Sequence, residues 1–165
     1  MGANAATPAN VQPAEKVELT CGECGSYSKL QEKRAAPKYE RDHIPAKATL
    51  REAAFKRAGG VDQLSDTEQT CIKNKVEARG ITIAIPKECH RSFSPTCGSK
   101  NTKTQIDTDS ETPESLAAAR DRDLAEMPPH LDPECQKAYA AAAKKVKEHD
   151  NEKMIEKVIK ECVGD

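Results

Sequence analysis

The stretch ITIAIP, residues 81–86, is the strongest strand signal in the chain. Residues branched at Cβ fill four of its first five positions, and such side chains suit a pleated sheet better than a helix. The segments on both sides have helical periodicity instead, and Pro86 suits the first position of a following helix, PKECHRSF. The sequence therefore predicts an α+β fold, in which a mainly helical domain surrounds a small sheet.

The composition sets the size of the core and the kind of surface. The chain has 165 residues, of which 36% are hydrophobic, 3% aromatic and 32% charged, with no tryptophan. We expect a modest core of Ala, Ile, Leu and Val. The formal net charge is −1, so a nucleic-acid site would have to be a local basic patch. No stretch approaches the ~20 apolar residues of a membrane helix, so we expect a soluble chain that does not enter a membrane.

Composition also suggests three segments along the chain. Residues 1–20 are rich in Ala, Asn and Pro and are typical of a flexible linker. Residues 21–130 are predicted to form the core domain, and residues 131–165 a C-terminal helical hairpin packed on that core. The polar, turn-rich residues 94–112 are predicted to form a loop within the core.

Local signals place most of the elements. Residues 39–43 are predicted to be a short strand, and Pro45 disfavours helix at the residue before it. The next helix ends at the glycine pair 59–60, and a second one begins at the capping box of Ser65 and Glu68 and ends at Gly80. Three more helices are predicted: one from Thr112 and Pro113 to about Glu126, one from Asp132 and Pro133, and a last one, EKMIEKVIKEC.

Seven cysteines leave at least one thiol unpaired or bound to metal. Cys21 and Cys24 form a CxxC that could be half of a zinc site, completed by Cys71, Cys89 or Cys97, but disulfide bonds or free thiols are the competing interpretation. If the last two helices turn at residues 149–151, their cysteines are about equally far from the turn. The sequence thus predicts a disulfide between Cys135 and Cys162.

An adjacent carboxylate and imidazole, Asp42 and His43, end the first predicted strand. A third polar residue, His90, lies about one turn into the helix after Pro86. A carboxylate and an imidazole can hold a divalent cation, and a neutral imidazole beside it can accept a proton from an attacking water. Taken alone, such a pair is more often a surface ion pair or a helix cap.

Two segments carry a family resemblance: RDHIPAKATLREAAF, residues 41–55, and ITIAIPKECHRSFSPTCGSKN, residues 81–101. They resemble the HNH, or ββα-metal, toxin nucleases at the C-termini of bacterial polymorphic toxins, including Rhs and type VI secretion effectors. The resemblance covers roughly residues 21–162 and implies a small ββα-metal core. Many HNH helices have a second histidine four residues after the first, where this chain has Ser94, so the third protein ligand stays unassigned.

The resemblance implies a role for each site residue. Asp42 and His90 would be the ligands of one divalent metal ion (Mg²⁺, Mn²⁺, Ni²⁺ or Zn²⁺), and His43 the general base. Asn101 would orient the loop or the base, with Asn74 as a competing candidate. The implied function is an endonuclease that cleaves DNA in the cytoplasm of a target bacterial cell, delivered as part of a secreted toxin polypeptide and neutralised by a cognate immunity protein.

Cationic residues lie around these positions in the sequence and could contact DNA phosphates. They are Arg41, Lys47, Arg91 and Lys100, with Lys87 and Lys103 as further candidates. Scattered surface lysines are the simpler interpretation. An alternative of another class is a non-enzymatic adaptor, stabilised by a structural zinc at the CxxC and the histidines.

Overall fold

The computed structural model describes residues 18–32 and 38–164 of the chain. These residues form three β-strands: β1 (Cys24–Ser26), β2 (Tyr39–His43) and β3 (Ile81–Pro86). They also form eight α-helices: α1 (Tyr27–Gln31), α2 (Lys47–Arg57), α3 (Asp66–Arg79), α4 (Lys87–Phe93), α5 (Lys103–Ser110), α6 (Pro113–Glu126), α7 (Pro133–Glu148) and α8 (Asn151–Val163). None of these helices is long and apolar enough to cross a lipid bilayer.

The sheet has the order β1-β3-β2, and both neighbouring pairs are antiparallel. The central strand β3 is buried from Ile81 to Ile85, which explains its continuous β-branched sequence. Ile83 pairs with Cys24 on one side and with Asp42 on the other. The predicted α+β class and both predicted strands are therefore confirmed, and β2 is an edge strand whose outer side is available to line a cleft.

The helices between β2 and β3 begin and end where the local signals predict. Gly59, just after α2, has a φ of 102°, a conformation that glycine adopts without strain. Ser65 and Glu68 form the reciprocal hydrogen bonds of a capping box at the start of α3, and Gly80 ends that helix. The chain then enters β3 directly, so α3 ends beside the site-bearing strand β2.

Two large hydrophobic clusters form most of the core, beside a small third one around Leu19, Leu30 and Ala84. The first joins the sheet to α7 through residues such as Ile83, Ile85 and Tyr139. The second joins α2, α3 and α8 through residues such as Leu50 and Val158. The turn between α7 and α8 lies where the sequence predicts it, but α7 packs on the sheet whereas α8 packs on α2 and α3. The two helices therefore do not pack mainly against each other.

This division explains why the predicted disulfide between Cys135 and Cys162 is wrong. Cys135, in the first cluster, is bonded to Cys21, and Cys162, beside the second, is bonded to Cys71. The two Cα–Cα separations are 5.5 and 5.6 Å. Each disulfide thus ties a C-terminal helix to an element much earlier in the chain.

Two other predictions need correction. The predicted loop over residues 94–112 contains α5, which Thr102 caps by accepting a hydrogen bond from the backbone of Gln105. It was missed because Ile106 is the only large apolar residue in that helix. The predicted linker over residues 1–20 lies mostly outside the described residues, but Leu19 is buried against Leu30 and belongs to the packed chain.

Candidate functional site

A cleft of about 610 Å³ runs along the free edge of β2, and all five residues of that strand line it. Other elements contribute the remaining walls, among them Tyr27, Glu77, His90, Thr96, Cys97 and Asn101. The cleft therefore brings together the four residues for which the sequence predicts a catalytic or metal-binding role: Asp42, His43, His90 and Asn101.

His90 is held between two carboxylates. Glu40 and Asp42 are two residues apart on β2, so their side chains lie on the same face of the sheet, where α4 presents His90. Nε2 of His90 lies 3.2 Å from Oδ1 of Asp42, and Nδ1 contacts a carboxylate oxygen of Glu40. Glu40 also pairs with Arg91, whose Nη2 is 3.0 Å from Oε1. Both ring nitrogens of His90 are thus occupied by acceptors.

These contacts set the charge of His90 in the metal-free protein. Burial lowers the pKa of His90, but the contacts with Asp42 and then with Glu40 outweigh it and raise this pKa to about 9. The imidazole is therefore protonated on both nitrogens at neutral pH. A cation that binds at Nε2 has to displace one of these protons, which is usual for histidine ligands.

The pair Asp42 and His90 has a spacing that fits a divalent cation. Two ligand atoms that each stand about 2.1 Å from one ion are roughly 3.0–3.4 Å apart at octahedral to tetrahedral angles. The separation of Oδ1 of Asp42 from Nε2 of His90 is 3.2 Å. Glu40 completes the arrangement, because metal-bound histidines commonly donate their other N–H to a carboxylate.

The described part of the chain contains no closed metal site. Within residues 18–32 and 38–164, no group of three or more His, Cys, Asp and Glu side chains could hold a metal ion. A cation at Asp42 and His90 would take its other ligands from water and substrate phosphate, as Mg²⁺ commonly does. In addition, Cys21 is bonded to Cys135, so it is not free to act with Cys24 as a zinc ligand in this structure.

His43 points to the opposite face of the sheet from Asp42, because successive strand residues alternate, but both residues line the cleft at the free edge of β2. Its Nε2 donates a hydrogen bond of 2.9 Å to the backbone carbonyl of Glu77 in α3. Among the described residues Nδ1 has no hydrogen-bond partner, so in the neutral ring it is the free acceptor. Burial lowers the pKa of His43, which keeps the imidazole neutral and able to accept a proton.

An aromatic ring holds His43 from the side. The ring of Tyr27 stacks on the imidazole with a centroid distance of 5.1 Å and an interplanar angle of 19°. Arg41, two residues before His43, lies on the same face of β2, and its Cζ is 4.4 Å from the Tyr27 ring centre. Tyr27 therefore contacts both a cation and the candidate base, and it limits the positions that both can adopt.

Asn101 lies in the cleft wall, just after the short turn Gly98–Lys100. Its side-chain Oδ1 is buried and has no hydrogen-bond partner in the described chain. A buried oxygen without a hydrogen bond destabilises the fold. Oδ1 is therefore suited to accept a hydrogen bond from a donor group of a substrate or from water. Asn74, the competing candidate, lies in α3 beside Thr70 and Cys71 and does not line the cleft.

The four cations predicted to bind phosphate have different surroundings. Arg41 and Lys47 line the cleft, and Lys47 pairs with Glu77 at 3.4 Å. Arg91, in α4, and Lys100, in the turn Gly98–Lys100, do not line the cleft. The Nζ atom of Lys100 donates to the backbone carbonyls of Arg91 and Ser92, at 3.1 and 2.7 Å. Only Arg41 and Lys47 are therefore placed to contact a phosphate inside the cleft.

Sequence reasoning missed two residues of the site. Glu40 could have been found from the alternation along β2, which places it on the same face as Asp42. Tyr27 could not have been found in this way. It follows β1, and the pairing of β1 and β2 with the central strand β3 is what brings its ring onto His43.

No protein-family model, curated protein or solved structure matches this chain.

Proposed function

We propose that this chain is a metal-dependent endonuclease of the HNH, or ββα-metal, type that hydrolyses phosphodiester bonds in DNA. The observation that carries the proposal is His90, which lies between Glu40 and Asp42 with a free-edge cleft beside it. The strand–helix–helix–strand–helix order from β2 to α4 supports it, since the candidate ligands come from β2 and α4, as the family resemblance implies.

Asp42 and His90 would hold the cation, which would supply Lewis-acid stabilisation of the scissile phosphate. His43 accepts a proton from the attacking water at Nδ1 while its Nε2–H stays bonded to the carbonyl of Glu77. The water oxygen forms a bond to phosphorus, the bond from phosphorus to the 3′ oxygen breaks, and solvent protonates the leaving oxygen. Asn101 would orient the loop or the base, and the nearby cations Arg41 and Lys47 would contact the phosphate.

The biological setting follows from the family resemblance alone. We propose that the nuclease is the C-terminal effector part of a secreted antibacterial toxin that acts in the cytoplasm of the target cell. A cognate immunity protein would then protect the producing cell by blocking the cleft.

A plasmid-nicking assay with Mg²⁺ or Mn²⁺, with and without EDTA, tests the activity directly, and an RNA substrate in parallel tests the choice of nucleic acid. His43→Ala should lower the cleavage rate by about 10²- to 10⁴-fold while Mn²⁺ affinity, measured by calorimetry, stays nearly unchanged. Asp42→Ala and His90→Ala should weaken Mn²⁺ binding, and excess Mn²⁺ should recover part of their activity.

His149→Ala is the matched control, because this histidine lies at the end of α7, outside the cleft. Full cleavage by His43→Ala would rule out the assigned base. If Mn²⁺ affinity were unchanged in both Asp42→Ala and His90→Ala, the assigned ligands would be wrong. Absence of cleavage in the wild-type protein, together with unfolding on metal removal, would favour the zinc-stabilised adaptor instead.

A further inference from the structure

An exposed pair of stacked rings lies at the end of the site-bearing helix. Phe93, the last residue of α4, has an exposed fraction of 45% and is one of only two phenylalanines in the chain. Its ring stacks on His130 with centroids 3.7 Å apart and an interplanar angle of 3°. His130 is also exposed, so the pair presents aromatic surface to solvent. An exposed aromatic ring held in a fixed orientation can stack on a planar ligand such as a nucleobase.

The chain holds this pair in place from both sides. His130 ends a short turn in which its own N–H donates to the carbonyl of Met127, a residue only 1% exposed, at 3.0 Å. The thiol of Cys89, one turn before Phe93 on α4, donates to the backbone carbonyl of His130 at 3.4 Å. The turn is thus attached to both the core and α4, so the stacked rings are organised before any ligand arrives.

Two cations lie near the rings along the chain. Phe93 follows His90 by three residues, a rise of about 4.5 Å along a helix. The side chain of Arg91, the residue after His90, pairs with Glu40 and is 60% exposed, and the ammonium group of Lys100 donates to the backbone carbonyls of Arg91 and Ser92. A cationic patch next to an exposed aromatic ring is the combination by which proteins bind single-stranded nucleic acid, since phosphates meet the cations and bases stack on the ring.

We propose that Phe93 and His130 form a stacking platform for an unpaired nucleobase close to the scissile phosphate. The platform rests on the proposed nuclease function and specifies its substrate class. Bases in an intact duplex are already stacked on their neighbours, so the rings can receive a base only from a single strand, a frayed end or a gap. Arg91 and Lys100 then contact the phosphates on either side of that base.

The test is the binding of short fluorescent oligonucleotides, single-stranded and duplex, by fluorescence anisotropy in a His43→Ala background, which slows cleavage. Phe93→Ala should weaken single-strand binding by roughly 5- to 150-fold, the range for loss of one base–aromatic stack. Phe93→Trp should retain it, and duplex binding should change much less. Val163→Ala is the matched control, because Val163 is 39% exposed and ends α8, away from the cleft.

His130→Ala provides a second test that leaves Phe93 in place, and circular dichroism shows whether each variant is folded. Unchanged single-strand affinity in folded Phe93→Ala and His130→Ala would overturn the platform and assign the exposed rings to contact with a protein. An equal loss for single-stranded and duplex DNA would overturn the preference for unpaired bases. If the wild-type protein nicks plasmid while these variants bind normally, the platform fails alone; if it neither binds nor cleaves nucleic acid, both proposals fail.

Discussion

Nε2 of His90 lies 3.2 Å from Oδ1 of Asp42, and the same imidazole contacts Glu40 through Nδ1. The spacing suits two ligands of one cation. Glu40 would not contact the cation itself but the other nitrogen of the ligand His90. Glu40 fixes the ring orientation of His90 and increases the electron density at Nε2. Its contribution can therefore be measured separately from that of the ligands.

We expect Glu40→Gln to weaken Mn²⁺ binding by roughly 10- to 100-fold, the usual cost of removing a carboxylate that supports a metal-bound histidine. Isothermal titration calorimetry measures this affinity directly. Arg91→Gln is the control, because it breaks the other ion pair of Glu40 and leaves His90 untouched. Equal Mn²⁺ affinity in both variants and the wild type would mean that Glu40 does not act through His90.

Gly80 limits the space around the candidate base. A Cβ atom at Gly80 would stand 2.8 Å from Cδ2 of His43 and 3.0 Å from the carbonyl oxygen of Val76. The φ of Gly80 is −57°, which alanine also adopts, so the obstacle is steric. We expect Gly80→Ala to displace the imidazole, to reduce plasmid nicking, and to destabilise the protein by about 1–3 kcal/mol.

Thermal unfolding measures the stability loss, and the NMR signals of the His43 ring report its displacement. Gly25→Ala is the matched control, because a Cβ there would meet Leu30 at an ordinary 3.7 Å. Unshifted His43 signals in Gly80→Ala would show that the imidazole does not depend on this glycine.

The features that could be predicted from sequence are those that depend on neighbouring residues. The strand over residues 81–86 follows from β-branched side chains, and the start of α3 follows from the reciprocal hydrogen bonds of Ser65 and Glu68. Asp42 and His43 were found because they are adjacent in a recognisable motif.

The features that were missed depend on which other elements a helix packs against in the folded chain. Cys135 and Cys162 are similar distances along the chain from their turn, but α7 and α8 join different hydrophobic clusters, and this decides the disulfides. Likewise, α5 has almost no apolar stripe and is held by a polar contact, in which Arg122 of α6 bonds Asp109 at 3.0 Å. Contacts of this kind have no periodic signature in the sequence.

The disulfides give a prediction about stability. Peptide mapping without reduction should find Cys71 joined to Cys162 and Cys21 joined to Cys135. Replacing both Cys71 and Cys162 by serine should lower the free energy of unfolding by about 2–4 kcal/mol, since the bond closes a long loop. Denaturant unfolding of this variant beside Cys97→Ser, which removes a free thiol, measures the difference. A linked Cys135–Cys162 peptide would contradict the pairing.

Asp123 gives a pH-dependent prediction. Burial raises its pKa; Arg122 opposes this, Asp42 and Asp109 add to it, and the resulting pKa is about 6. Its Oδ2 is buried without a hydrogen-bond partner in the described chain. The ordinary pKa of this carboxyl, 3.8, applies to the unfolded chain. Well below that pH, Asp123 is protonated in both the folded and the unfolded protein, so its raised pKa does not change the free energy of unfolding. As pH rises from about 4 to about 6, the unfolded chain loses this proton more easily than the folded protein, so the free energy of unfolding falls. The loss is complete above that range.

Asp123→Asn removes the ionisable group, so its stability relative to the wild type should improve between pH 4.5 and 7.5, by on the order of 1–3 kcal/mol. Denaturant unfolding at several pH values measures this change. Asp121→Asn is the matched control, because the Asp121 side chain is 51% exposed and belongs to the same helix. The same pH series on Asp121→Asn shows what the exchange of an exposed carboxylate for an amide does in this helix. A relative stability of Asp123→Asn that falls as pH rises would show that ionised Asp123 stabilises the fold, chiefly through Arg122, and would contradict the prediction.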